Sequence, residues 1–478
     1  MGQLHIVFLP FMAHGHMIPM LDMAKLFNSC GVKTTIISTP AFAEPVRRAQ
    51  ESGIDIGLST IKFPPEGSDL PDNFVSLDQT MATEDLISNF VKALDLLQEP
   101  VEKLLEEFNP NCLVSDMFLP WTTDSAAKLG IPRLVFHGVS TFALCAMEQM
   151  KRHKPYKNVS SDSEPFILPN LPHQLKFTRT QVSQHELEET ENDFSKLLKQ
   201  MREAEERSYG VVINSFYDLE SDYADHYRKA LGRRAWLIGP LLFRNSGNVD
   251  KTQRGKKSAI DEHECLAWLD SKKPNSVVYM CFGSMARFTA AQLHETAVGL
   301  EASGQDFIWV VRKGKNEDEN EDWLPEGFEE RTKGRGLIIR GWAPQLLILD
   351  HPSIGAFVTH CGWNSTLEGV CAGVPMVTWP IFAEQFFNEK LVTEVLKIGV
   401  SVGNRQWCRR ASEGVPSKAV ATAVQAVMVG EKALEMRNRA KSYQELARKA
   451  VEQGGSSDND LNALIQELSA YPLSRKQD

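Results

Sequence analysis

Short apolar, β-rich runs alternate with longer helical patterns along most of the 478 residues, and this alternation leaves few architectures open. In the first half the runs are 6–9, 34–37, 112–115, 133–136 and 211–214; in the second they are 277–281, 307–311, 337–340, 356–359 and 376–378. Helix-like stretches such as 20–28, 85–108 and 387–397 lie between them. Buried strands alternating with helices predict parallel sheets covered on both faces. A single core rarely grows past about 250–300 residues, so two such domains are expected.

No close repeat is present, but residues 5–27 and 276–300 both run strand, small-residue loop, amphipathic helix. Each reads as the opening β-α unit of a doubly wound domain. The expected division is 1–243 for the first Rossmann-like domain, 244–257 for a polar, basic linker and 258–453 for the second. A closing helix within 454–478 is expected to pack back on the first domain. The acidic stretch 313–322 reads as a surface loop. In open α/β sheets, ligands bind beyond the carboxyl ends of the strands, so residues just after strands are the informative ones.

Composition narrows the function classes. The formal charge of −10 argues against a nucleic-acid partner, and no apolar run is long enough to span a membrane. The apolar start at 5–13 lacks a basic flank and a cleavage site, and reads as a buried first strand rather than a leader. Eight scattered cysteines without a C-x-x-C pair suit a reducing, cytoplasmic compartment.

The densest signal runs from Trp342 to Gln385. Its middle reads as a strand, a turn at His360-Cys361-Gly362-Trp363 and a helix starting near Asn364 or Ser365. A helix start offers unpaired N–H groups and a partial positive charge, which suits phosphate. Neither G-x-x-x-x-G-K-[ST] nor G-x-G-x-x-G is present, so a nucleotide would be held by backbone, His360, Asn364 and Ser365. No lysine and no metal-ligand cluster accompany them, and neither a metal nor an organic cofactor is expected.

This segment, with its HCGWNS core and its length of 44 residues, resembles the signature box of plant family-1 UDP-sugar glycosyltransferases. The resemblance extends over the whole chain, from Gly15-His16-Met17-Ile18-Pro19 to the last helix. It implies the GT-B fold, two Rossmann-like domains facing a central cleft, with UDP-sugar bound mostly by the second. By that resemblance Trp342 stacks on uracil, Ala343 belongs to the same donor set, and Gln345 and Glu368 hold the ribose. His360, Asn364, Ser365 and Ser284 hold the diphosphate, while Trp363, Glu384 and Gln385 meet the sugar hydroxyls. The family more often has Asp at position 384, and its closing glutamine points to glucose. Several of these residues have plain structural alternatives: Trp342 as a core residue capping the sheet, Ser284 as a helix N-cap, and Ser365 with Glu368 as a capping box.

In the first half, His14 and His16 follow the first strand, and a histidine titrates where a general base should. The resemblance selects His16 as the base and Asp116, at a strand end, as its orienting carboxylate. Asp124 reads as a structural or surface acid. Phe11, Met12, Phe118, Trp121, His137 and Phe142 are candidates for an apolar acceptor wall, each with plain core packing as the alternative. The expected activity is inverting transfer of glucose from UDP-glucose to a hydroxyl of a small aromatic metabolite of phenol, flavonol or hydroxyindole type. The expected protein is a monomer whose partners are the UDP-sugar and that acceptor. The rival readings are a UDP-sugar epimerase, a phosphorylase relative with a lysine-bound pyridoxal cofactor and a non-catalytic UDP-sugar-binding protein; a serine hydrolase lacks its G-x-S-x-G.

Overall fold

The structure is a computed structural model that describes residues 3–77, 79, 84–188, 191–244, 254–311, 323–408 and 414–472. Most of the expected linker, 245–253, and the acidic loop at 313–322 lie outside the described residues. Two compact units emerge: Met1–Ser140 with Glu188–Ser246 and Lys449–Asp478, and Thr141–Leu187 with Gly247–Arg448.

The first unit is built on seven strands: β1 (His5–Leu9), β2 (Lys33–Ser38), β3 (Ile56–Thr60), β4 (Cys112–Asp116), β5 (Arg133–Phe136), β8 (Gly210–Ile213) and β9 (Ala235–Leu237). They pair in parallel in the order β3-β2-β1-β4-β5-β8-β9. Strands β1 and β4 are buried along their whole length, which is why their sequences are near-continuous apolar runs. The closing helix, Ser456–Ala470, sets Leu461, Leu464 and Leu468 into this unit's core. Its Asp460 carboxylate accepts from Leu237 N–H at 2.8 Å and faces Arg228.

The second unit holds a short antiparallel pair, β6 (Phe166–Ile167) and β7 (Lys176–Phe177), and a six-stranded sheet. That sheet is β10 (Val277–Cys281), β11 (Asp306–Val311), β12 (Gly336–Arg340), β13 (Ile354–Thr359), β14 (Met376–Thr378) and β15 (Gly399–Ser401). All neighbours are parallel, in the order β12-β11-β10-β13-β14-β15. Chain order therefore reverses between β1 and β4 in one unit and between β10 and β13 in the other. These are the switch points where open α/β sheets bind ligands.

Three helix expectations need correction. The helix expected over 20–28 runs His14–Ser29, because Pro19 removes only one intrahelical bond and the first turn needs none. The stretch 85–108 is two helices, Glu84–Asp95 and Gln98–Phe108; Pro100 cannot donate to the carbonyl four residues back and crowds it, so the helix breaks before it. The stretch 387–397 is a helix over Gln385–Lys390 followed by a π-turn over Leu391–Val395.

Candidate active site

At the first switch point, His16 lies in the opening turn of the helix that follows β1, and Asp116 is the last residue of β4. Nδ1 of His16 sits 2.6 Å from Oδ2 of Asp116, whose side chain is fully buried while the ring keeps 19% exposure. The other carboxylate oxygen, Oδ1, accepts from Phe118 N–H at 3.1 Å. An ionised carboxylate can only accept, so the proton of a neutral His16 ring belongs on Nδ1 and Nε2 carries the lone pair. The ring of His14 lies instead against Phe42, 4.9 Å between centroids.

Two aromatic rings flank His16. Phe11 and Phe118 stack on each other at 4.7 Å and both meet the imidazole edge-on, at 5.3 and 5.7 Å. Phe11 is buried and Phe118 half-buried. Met12 is buried, and its carbonyl accepts from Leu77 N–H. Trp121 is also buried, with its indole N–H donating to the Leu94 carbonyl at 3.1 Å. His137 is buried with Nε2 at 2.8 Å from Glu205 Oε2 and Nδ1 at 3.1 Å from the Met117 sulfur, which makes it a tie to the helix Asp193–Arg207. Burial acts to raise the Glu205 carboxyl, but His137, the Tyr227 hydroxyl and Arg233 outweigh it and hold the group at about 2. Phe142 is fully buried in the second unit. Asp124, expected to be a structural or surface acid, is exposed and paired with Arg207.

At the second switch point the turns after β10 and β13 meet. Gly283 has φ of 69°, the left-handed region that favours glycine. A Cβ there would fall 2.6 Å from Cε1 and 2.7 Å from Nε2 of His360, and one at Gly362 would fall 2.5 Å from the same Nε2. Two glycines thus clear the space that the imidazole occupies. Cys361 between them is a non-glycine residue at φ 64°, and Ala383 is another at φ 53°, beside Glu384. Such backbone costs about 1–3 kcal/mol per residue and persists where surrounding contacts impose it.

The helix Trp363–Ala372 is capped by Gly362, so Ser365 and Glu368 do not form the capping box that was the structural alternative. Instead Gln345 Nε2 donates to Glu368 Oε2 at 2.6 Å and to Ser365 Oγ at 3.1 Å, while Tyr279 donates to Gln345 Oε1 at 3.2 Å. Ser284 is not an N-cap either, since Thr289 caps the next helix, Ala290–Ser303. Trp342 is half-buried after β12, next to buried Ala343, and its indole N–H donates to the Arg254 carbonyl at 3.3 Å.

The sugar-reading candidates are tightly held. Gln385 Oε1 accepts from the N–H groups of Ile381 and Phe382 at 2.8 and 3.0 Å, which leaves Nε2 as the donor it can offer a ligand. Glu384 Oε1 accepts from Trp363 N–H and from Asn388 Nδ2, both at 3.3 Å, and Asn388 also donates to the Cys361 carbonyl at 2.8 Å. The Trp363 indole itself is 2% exposed, and Asn364 is half-buried in the first turn of the helix. Behind them, burial pushes Glu389 up to about 7 against the pull of the Thr378 and Ser401 hydroxyls, at 2.8 and 3.0 Å. Sequence reasoning missed Asn388 and the clearance role of Gly283. An asparagine three residues past the box and a glycine after a strand were the only signals.

Residues 2–243 match the family model described as glycosyltransferase, N-terminal domain, and residues 246–436 match UDP-glucoronosyl and UDP-glucosyl transferase. Scopoletin glucosyltransferase of Nicotiana tabacum is 63% identical over 475 residues, 98% of this chain and 99% of that protein. UDP-glucose flavonoid 3-O-glucosyltransferase 7 of Fragaria ananassa is 55% identical, with 98% and 96% covered. Among solved structures, Glycyrrhiza uralensis UGT73P12 with glycyrrhetinic acid 3-O-monoglucuronide superposes with a TM-score of 0.91 at 42% identity, covering 98% and 96% of the two chains. Medicago truncatula UGT71G1 with UDP-glucose gives 0.80 at 26% identity, covering 98% and 99%. Both halves matching, and relatives this similar along nearly the full length, make the chain a member of the plant UDP-glycosyltransferases, with the paired Rossmann-like units of the GT-B fold class.

Proposed function

We propose that the protein transfers glucose from UDP-glucose to a hydroxyl of a small aromatic acceptor and releases a β-O-glucoside. The observation that carries this reading is the His16–Asp116 pair at a switch point, with the half-buried Phe118 ring edge-on to the imidazole and able to face an aromatic acceptor. His16 Nε2 takes the acceptor proton while the oxygen attacks the anomeric carbon opposite UDP, so an α-linked donor gives a β-linked product. Asp116 holds the ring and balances the imidazolium as it forms. His360, Ser284, Asn364, Ser365 and the start of the helix Trp363–Ala372 neutralise the departing diphosphate. The half-buried Trp342 stacks on the uracil, and Gln345 with Glu368 meets the ribose. Relatives named for scopoletin and flavonoid glucosylation support the donor and the acceptor class. A sensor that binds UDP-sugar without turnover has no need of a buried carboxylate on His16.

Among the described residues no group of three or more His, Cys, Asp or Glu could hold a metal ion. We propose that the reaction needs neither a metal nor an organic cofactor. EDTA is expected to leave the rate of UDP-[14C]glucose transfer to a panel of phenols unchanged. A loss that Mn²⁺ restores, or no transfer to any phenol, overturns the proposal. All eight cysteines are free, and no described helix is long and apolar enough to cross a membrane.

Donor choice follows from the fixed rotamers. Gln385 presents a donor and Glu384 an acceptor, a pair that reads adjacent equatorial hydroxyls. Gln385→His removes the acceptor of two backbone N–H groups and moves the ligand-facing donor. UDP-glucose use is expected to fall by about 1–3 kcal/mol in kcat/KM, with UDP-galactose affected less. Better use of UDP-galactose than UDP-glucose by the unaltered protein contradicts the assignment.

A further inference from the structure

Arg133 opens β5 on the strand next to Asp116, and its side chain is 2% exposed. A guanidinium removed from water costs several kcal/mol unless its donors are met. Here they are met by β4, the turn after it and the first turn of the helix Thr122–Lys128. Nε donates to Ser115 Oγ at 2.7 Å and Nη1 to Thr123 Oγ1 at 2.6 Å. Nη2 donates to the carbonyls of Asp116 at 3.0 Å and Leu119 at 3.4 Å. No carboxylate oxygen is among these partners, so the fork grips the main chain that carries the catalytic acid rather than neutralising an ion pair. The charged groups that act on it are Asp116, Glu205, Arg207 and Asp124, and burial pushes its pKa down to about 9 despite the opposing pull of Asp116.

What the grip fixes is the path from Ser115 to Thr123. That path holds the Asp116 carboxylate on Nδ1 of His16, the Phe118 N–H on its other oxygen, and the Phe118 ring edge-on to the imidazole. A shift of a few tenths of an ångström at the Asp116 carbonyl moves all three together, and misplacement of this order is costly where a proton must be transferred. We propose that Arg133 is a positioning residue of the transfer reaction, acting through the end of β4 on the orientation of the His16–Asp116 pair. The inference rests on the reading of that pair as base and orienter. Its planar fork serves three elements of chain at once, which the three tetrahedral donors of a lysine cannot do.

The test is Arg133→Lys, alone and combined with Asp116→Asn, with turnover measured on phenols of falling pKa and UDP affinity measured by calorimetry. Turnover on weakly acidic phenols is expected to fall about 10-fold for Arg133→Lys, with the deficit shrinking as the phenol becomes more acidic and UDP affinity unchanged. In the Asp116→Asn background the same change is expected to cost less than about twofold, because both act through one carboxylate. Simple loss of folded enzyme would instead scale every acceptor alike. Should the lysine variant not fold, Ser115→Ala, which removes the Nε acceptor together with the 2.8 Å contact to the Thr122 hydroxyl, is expected to lower turnover about threefold with the same acceptor dependence. An equal deficit on all phenols, full additivity with Asp116→Asn, or no deficit at all overturns the inference. If Asp116→Asn alone leaves turnover unchanged, it is the reading of the pair that fails.

Discussion

His16→Ala is expected to cut turnover about 10²–10⁴-fold, the usual worth of general-base assistance, while UDP affinity survives. The survival follows from the partition of the chain. His16 belongs to the first unit, whereas Trp342, Gln345, His360 and Glu368 all belong to the second. Asp116→Asn should also slow turnover, since an amide can hold the ring in place but cannot balance its charge. The deficit should shrink for acidic phenols, which ionise near neutral pH and need the base least. Turnover on a phenol series, with calorimetry of UDP on the same variants, separates the cases. Near-full activity of His16→Ala on a weakly acidic acceptor would mean that another group takes the proton. His14 is the natural control, because its ring packs on Phe42 and not on Asp116. If His14→Ala is the variant that loses activity, the wrong histidine has been assigned.

The strands that build both switch points were legible because each is buried on both faces and so reads as an unbroken apolar run. β1, β4, β10 and β13 are buried at every position. Edge position or short length hides the missed strands. β3 is mostly half-buried at a sheet edge, β15 is short and partly exposed, and β9 has three residues. The pattern places His16 after the first strand, but it hides the start of the helix, since Gly15 and Pro19 fall in its first two turns. Glycine and proline disfavour a helix locally, yet Met17, Met20 and Met23 bury its face in the core and override them. Contacts between distant segments were the part that could not be read. Nothing in a lone arginine opening an apolar run announces that it will clasp the turn after β4. Likewise, the engagement of Gln385 Oε1 by two backbone N–H groups depends on how the loop before it folds.

The second large effect concerns the imidazole between two glycines. His360→Ala is expected to lower kcat/KM for UDP-glucose about 10²–10³-fold, the cost of losing the diphosphate donor proposed above. Gly283→Ala should approach that loss without touching the histidine itself. Its Cβ would overlap the ring at 2.6 and 2.7 Å, closer than a side chain can tolerate without the ring being displaced. The left-handed backbone at Gly283 adds about 1 kcal/mol for any residue with a side chain. The two contributions separate in the double variant. With the ring gone, the new methyl group has room, so Gly283→Ala in the His360→Ala background should retain only the backbone cost, roughly a 5-fold effect. If Gly283→Ala is as harmful without the ring as with it, the glycine serves the turn alone and the clearance argument is wrong. If His360→Ala binds UDP and turns over as the unaltered protein does, the ring is a packed strand-end residue, and the helix start at Trp363 must hold the diphosphate unaided.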